Sequence, residues 1–320
     1  MDSGHELMRG VGIEEYVAGL TQEGECVIPG QGRTYWLRGE MRSLERVPTW
    51  CVGDLSLSNV KSTLWHVRAP IATFVRAPDA LHPANALLYI CEDQQYSMEG
   101  LRRLARKNLR RALRELRFEF IDRQVFLEKG IAPYCETRAR IGLSDGTVDA
   151  FRARFAVASA NPACKIVGAW RGDVLAGFLT LTVVEDWVGT TAFGSATEYL
   201  SLRPNDGLVH FALDYFLTQH KFRLVCCGLS SIQEDDKANT LDRFKRNVGF
   251  EARPVHRVFV LHPVLSPFAN SLTLSGLRAC LRAWPSSRVF RKASGMLATY
   301  LGKCPVLIEP QQEQQEETEV

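Results

Sequence analysis

The chain has 320 residues, 46% of them hydrophobic, with 39 Lys and Arg against 36 Asp and Glu for a formal net charge of +3. That length suits two domains with cores of their own, and the near-balance of charge excludes a polycation that binds nucleic acid over its whole surface. Nine cysteines without framework spacing, no Cys or His set at metal-ligand spacing and no uninterrupted apolar span point to a reducing, cytoplasmic protein with no metal and no membrane span.

The first twenty residues carry Asp2, Glu6, Glu14 and Glu15 and no apolar run of secretory length. From about Gly32 to Asp93, RTYWLRG, SLSNVKSTLWHVRA, PIATFVRA and NALLYICED alternate between Pro and Gly punctuation, which predicts a strand-rich region with few helices. Residues 97–118 give the first helix. Leu101, Leu104, Ala105, Leu109, Ala112, Leu113 and Leu116 fall at helical spacing, and Arg103, Arg106, Lys107, Arg110, Arg111, Arg114 and Arg117 fill the remaining circumference, interrupted only by Glu115. Such a face can contact phosphates of tRNA, a nucleotide-linked sugar or CoA. The simpler reading is a solvated helix face.

FEFI at Phe118–Ile121 predicts a strand, followed by helices over Gln124–Arg140 and Thr147–Ala160. KIVGAW, VLAGFLTLTVV and WVGTTAFGS, joined at Arg171-Gly172-Asp173 and Glu185-Asp186, form an antiparallel meander. The chain then enters TEYLSLRPNDGL, where Asn205 is placed to cap a helix and Asp206 to complement its positive end. FALDYFL continues that helix, KFRLVCCGL supplies a buried strand, LDRFKRNVGF a helix closed by Gly249, and a last strand ends near Val260. A loop feeding a helix N-terminus beside a strand can hold an anionic cofactor tail. Ser230 and Ser231 are read as capping residues. Two basic amphipathic helical segments separated by Pro285 follow; for Leu274–Leu301, packing across the domain junction is preferred to a membrane surface. The acidic, Gln-rich tail is expected to be disordered. The expected division is 1–117, 118–263, a helical appendix 264–304 and the tail 305–320.

The order strand, helix, helix, three antiparallel strands, helix, strand, helix, strand from Phe118 to Val260, with ARKNLRRALREL, PYCETRARIG, YLSLRPNDGL and LDRFKRNVGF in sequence, resembles the acyltransferase fold of the GNAT superfamily, and within it the FemABX-like branch. The resemblance implies an α/β fold with a mixed, mostly antiparallel sheet flanked by helices, and two GNAT-like halves in tandem, the first degenerate. It implies transfer of an acyl group from acyl-CoA, such as acetyl-CoA, to an amine of a small molecule, sugar or peptide. The alternatives are aminoacyl transfer from tRNA to a cell-wall precursor, with tRNA the only nucleic acid partner, and a catalytically silent binding module.

Carried onto this chain, the donor falls on Phe193, Gly194 and Ser195, on the strand Leu224–Gly228, and on Arg203, Asn205, Asp206, Gly207 and Leu208. Lys245 matches a basic position of the FemABX-like branch that faces the donor. Tyr134, Thr137 and Arg138 border the acceptor groove, with Lys107 of the basic helix as a further substrate contact. Glu198 and Tyr199 are the candidate base and thiolate-protonating acid. LRPNDG departs from a glycine-rich pyrophosphate loop: it has one glycine, and Pro204 donates no amide. Cys227 has no partner that would make it a nucleophile.

Overall fold

A computed structural model describes residues 10–39, 42–143, 146–230, 236–284 and 287–303. Ser231, part of the LSDG turn and the acidic tail lie outside them. In chain order the elements are α1 (Ile13–Gln22), β1 (Val27–Pro29), β2 (Tyr35–Arg38), β3 (Leu44–Val47), α2 (Leu57–Val67), β4 (Ile71–Arg76), β5 (Ala86–Cys91), α3 (Arg103–Glu115), β6 (Arg117–Phe120), α4 (Arg123–Lys129), α5 (Ile131–Arg140) and α6 (Val148–Ala158). There follow β7 (Cys164–Arg171), β8 (Val174–Val184), β9 (Trp187–Ser195), a 3-10 turn (Thr197–Leu202), α7 (Pro204–Leu213) with a π-helical extension (Asp214–Gln219), β10 (Leu224–Leu229), α8 (Asp236–Asn247), β11 (Glu251–Leu261), α9 (Ser271–Ala283) and α10 (Arg288–Tyr300).

The chain forms two compact units: Met1–Val27 with Tyr89–Gly228 and Asn239–Ala252, and Ile28–Leu88 with Leu229–Ala238 and Arg253–Val320. In the first, β6, β7, β8 and β9 pair antiparallel and β10 then pairs parallel to β9, with α7 as the crossover. The second repeats this plan: β2 and β3 pair antiparallel, and β4 pairs parallel to β3 after the α2 crossover. Its closing strand, β11, pairs antiparallel with β4 through His256–Leu261. The class is therefore α/β, with mixed, mostly antiparallel sheet flanked by helices, and the same core plan occurs twice.

Each unit buries its own core. In the first, the rings of Phe126, Tyr134, Phe151, Phe155 and Phe178 cluster with Ile166 between α4, α5, α6 and the meander. In the second, Trp36, Leu44, Val60, Leu64, Phe74 and Val260 close α2 over the strands.

Two sequence expectations are corrected. SLSNVKSTLWHVRA is the helix α2, because Val60 and Leu64, one turn apart, are its buried positions, and the helix closes on Arg68 in the left-handed region at φ 51°. The apparent alternation was a 3.6-residue period sampled over a short window. The single helix predicted over Gln124–Arg140 is two, α4 and α5, meeting at Gly130, where an added Cβ would stand 2.6 Å from the Phe126 carbonyl oxygen. α1 was not foreseen. The meander turns fall as expected, with Gly172 at φ 57° and Glu185 at φ 51°.

Candidate active site

β9 and β10 run side by side only briefly. Their ladder covers Leu224–Trp187, Val225–Val188 and Cys226–Gly189, whereas β9 continues to Ser195, paired on its other edge with β8. Every second residue of β9 in this stretch directs its backbone N–H and C=O away from β8, toward the side where the ladder to β10 has ended. A bulge between Thr180 and Leu181 in the β8 pairing leaves Thr191 as the extra residue of β9, and its hydroxyl meets that of Thr180 at 2.8 Å. Phe193 lies in the diverging stretch and meets the ring of Phe244 from α8 edge-on at 6.3 Å.

Gly194 and Ser195 are both buried, for different reasons. An added Cβ on Gly194 would lie 2.2 Å from Cε1 of Phe178, so only glycine fits over that ring. Ser195 is gripped by α5: its N–H donates to Thr137 Oγ1 (2.8 Å), Thr137 Oγ1 donates to its carbonyl (3.1 Å), and Arg140 donates to its Oγ (3.0 Å) and carbonyl. Arg140 also reaches Thr197 Oγ1 at 3.0 Å, and Glu136 accepts from the Thr197 N–H at 2.5 Å. Thr137 thus fixes the strand end. Arg140, three residues on from Thr137, and Glu136, four residues before Arg140, were passed over by sequence reasoning. Tyr134 is 4% exposed within the aromatic core, under Arg138 at 5.8 Å from its ring centroid. Glu198 is exposed and Tyr199 half-buried in the 3-10 turn that follows β9.

The start of α7 differs from the expected phosphate loop. Asn205 is not the cap. The N-cap is Arg203, in the left-handed region at φ 63° with no side-chain capping bond; Pro204 opens the helix and Asn205 follows inside its first turn. The buried Oδ1 of Asn205 has no hydrogen-bond partner. Burial raises the Asp206 carboxyl above its ordinary range, with Arg203 acting in the opposite direction. Gly207 is occupied by packing: a Cβ there would fall 2.0 Å from Cζ of Phe118. Leu208 is fully buried.

Lys245 is 4% exposed. Its Nζ lies 3.7 Å from Asp242 Oδ1 and 4.3 Å from the ring centroid of Tyr89. Burial, then the Asp242 charge, push the Tyr89 hydroxyl well above its ordinary value. Burial likewise raises the Cys226 thiol to about 12 and raises that of Cys227, which bonds with Thr190 and is pulled back by Lys245. Both thiols are therefore protonated at neutral pH, which leaves no thiolate nucleophile here. Asp242 is legible in the sequence as an i, i+3 partner of Lys245. Tyr89 is brought in only by the fold.

The basic face of α3 borders a cavity of about 660 Å³ lined by Lys107, Asn108, Arg110, Arg111, Arg114 and Arg203, with Leu104 at its edge. α3 packs on α7 and on the 3-10 turn, which brings Arg203 to the helix face. None of the lining residues is acidic. The nearest acid in the helix, Glu115, is paired with Arg114 at 3.0 Å and Arg171 at 4.0 Å. The arrangement concentrates positive potential on an open groove, a fit for phosphate oxygens. Ser230 instead serves backbone pairing, its N–H donating to the Leu87 carbonyl and its Oγ accepting from the Leu87 N–H.

Among the described residues no group of His, Cys, Asp or Glu is assembled to hold a metal, and no helix is long and apolar enough to cross a membrane.

No protein-family model and no curated protein matches this sequence. Solved structures do. FemX is similar at 10% identity with a TM-score of 0.55, covering 79% of this chain and 92% of its own. A conserved protein of unknown function from Bacteroides thetaiotaomicron is similar at 8% identity and TM-score 0.51, covering 79% and 92%. The C-terminal DUF2156 domain of a putative lysylphosphatidylglycerol synthetase from Agrobacterium fabrum is similar at 14% identity and TM-score 0.50, covering 77% and 90%. At these identities the likeness speaks to the fold alone.

Proposed function

We propose that the protein is an N-acyltransferase of the GNAT type, moving an acyl group from acyl-CoA, in the simplest case acetyl-CoA, to an amine of a small molecule, sugar or peptide. The observation that carries this reading is the divergence of β9 from β10 beyond Gly189 and Cys226. It leaves strand backbone groups turned toward a slot where an extended amide-bearing chain can be held.

The donor fits these residues in a particular way. The α7 start suits a pyrophosphate poorly, since Pro204 offers no amide and Asp206 brings negative charge. The α3 groove suits phosphates well, through Lys107, Arg110, Arg111, Arg114 and Arg203. The unpartnered Oδ1 of Asn205 is an acceptor for an incoming N–H, and the pantetheine arm carries amides. Phe193, Gly194 and Ser195 then border the acyl end, and Lys245 places a buried positive charge behind the strands.

When bound, the donor supplies an activated thioester carbonyl. The acceptor amine must lose a proton to attack, because an alkyl ammonium is charged at neutral pH. Glu198 takes that proton, the C–N bond forms as the C–S bond breaks, and Tyr199 protonates the departing thiolate. Backbone donors of β9 polarise the carbonyl, and the α5 clamp on Ser195 holds them in place. The free thiols of the described cysteines suit a cytoplasmic setting.

A calorimetric titration tests the reading. CoA and acetyl-CoA should bind the wild type, and a combined Arg110→Glu and Arg111→Glu variant should lose binding. No heat with CoA, acetyl-CoA or longer acyl-CoAs would remove the donor assignment. A second reading, aminoacyl transfer from tRNA, is favoured by the open, acid-free groove. Salt-sensitive tRNA binding without CoA binding would select it, and CoA binding without turnover on any amine would select a silent binding module.

A further inference from the structure

β6 lies at one side of the sheet of the first unit. It pairs with β7, and among the described residues no strand lies beyond it. In that ladder Arg117 stands opposite Trp170 and Glu119 opposite Gly168, and the Ile121 N–H donates to the Ile166 carbonyl at 2.9 Å. Bonded positions alternate along an antiparallel strand, so Arg117, Glu119 and Ile121 direct their backbone groups to β7. Phe118 and Phe120 turn theirs outward, and no described residue bonds to them there.

The two faces of this edge differ. On one, Phe118 lies against Gly207 of α7, and Phe120 meets Phe211 at 5.3 Å and Tyr215 at 4.8 Å. All of these rings are half-buried, which leaves an aromatic row beside open backbone groups. On the other face Arg117 and Glu119 form an ion pair with each other next to Trp170. Charges on an edge strand usually guard it against pairing. Here they alternate in sign two positions apart, so they oppose some registers and favour one.

We propose that β6 pairs antiparallel with β6 of a second copy of this chain, about a two-fold axis at Phe118. The outward groups restrict the pairing to a few registers. Centred on Phe118, Arg117 stands opposite the partner's Glu119 and Glu119 opposite the partner's Arg117, at the non-bonded positions where side chains come closest. Centred on Glu119, the carboxylates would face each other; centred on Arg117, the guanidiniums would. The ion pair inside each chain is kept, and the two pairs join in one ring of alternating charge. Phe118 exchanges backbone bonds with the partner's Phe118. Leu116 is extended with its N–H bonded to the Ala112 carbonyl, so its own carbonyl can accept from the partner's Phe120 N–H. A strand of other sequence would have to bring the same alternation of charge, whereas a second copy brings it by symmetry. The contact is separate from the acyltransferase reading and stands whether or not CoA binds.

Sedimentation velocity of the full chain tests it. The wild type should show a concentration-dependent monomer–dimer equilibrium that added salt weakens. Arg117→Glu and Glu119→Arg should each weaken dimerisation by about 10-fold or more, because like charges then meet on both sides of the axis. Mixing the two variants in equal amounts should restore a dimer. Within each variant chain the two charges remain alike, so that recovery reports pairing between chains and not repair of the ion pair inside one. The charge-swapped double variant should dimerise as the wild type does. A wild type that stays monomeric at every concentration overturns the proposal, as does a dimer indifferent to both variants or not recovered on mixing. Assemblies that keep growing with concentration would mean head-to-tail contacts and would overturn the two-fold register.

Discussion

Replacing Gly194 by alanine tests whether this residue of the candidate donor strand is fixed by packing. An ideal Cβ would lie 2.2, 2.6 and 2.9 Å from Cε1, Cζ and Cδ1 of Phe178. Ordinary carbon contacts are about 3.5–4.0 Å, so the nearest overlap exceeds ~1.3 Å. Phe178 cannot easily yield. It is fully buried, and its ring meets those of Phe126 at 4.9 Å and Phe155 at 6.0 Å. Overpacking of this kind costs about 1–3 kcal/mol, here toward the upper end. Relief of the glycine entropy penalty returns about 0.5–1 kcal/mol, so a net loss near ~2 kcal/mol is expected. Urea unfolding followed by aromatic fluorescence would read it, together with Phe178→Leu and the double variant. Removing the ring edge should absorb most of the loss, giving a coupling of about 1 kcal/mol or more between the sites. A stable Gly194→Ala protein, or purely additive losses, would refute the packing argument and leave close backbone approach by a ligand as the reason for glycine.

Other outcomes follow from the same geometry. Asp206→Asn should stabilise the protein at neutral pH. The folded-state carboxyl is raised above its ordinary value of 3.8, so folding favours the protonated form; stability falls as pH rises through that window, and the advantage of Asn should vanish below it. The same variant should tighten anion binding, read by calorimetry with CoA. His210 behaves oppositely: burial lowers it below 6.5 while its Nδ1 lies 3.1 Å from the Tyr96 hydroxyl. Its contribution is complete above that value and is lost as pH falls, so His210→Gln should flatten the mildly acidic limb of a stability profile, and an unchanged limb would count against it. Lys245→Met should cost about 2 kcal/mol by removing the ion pair with Asp242 and the contact with Tyr89; a neutral result in chemical denaturation would show that the buried charge has no net structural value. Glu198→Gln should lower the rate of acetyl transfer by about 100-fold or more, and an unchanged rate in a steady-state assay would remove Glu198 from the role of base.

Local periodicity and turn chemistry, read from the sequence alone, determined the meander β7 to β9, its turns at Gly172 and Glu185, the basic face of α3 and, apart from the break between α4 and α5, the strand and helix order of the second half. Each depends on residues a few positions apart, whose φ, ψ and burial preferences act within a single element. The same windows misread α2, where a short stretch satisfied two periods at once and only burial of Val60 and Leu64 decided between them. They also gave Asn205 the cap, because a capping residue type beside a proline cannot reveal that the preceding Arg203 takes the left-handed conformation. What surrounds the candidate site was set by contacts far apart in sequence. Tyr89 comes to Lys245, Phe118 fills the space at Gly207, Phe178 lies beneath Gly194, and Arg203 joins the α3 groove. The sequence thus determined which residues carry charge, rings or no side chain, whereas only the tertiary structure decided which of them meet, because close packing admits one partner at each place and sequence patterns carry no distance between elements.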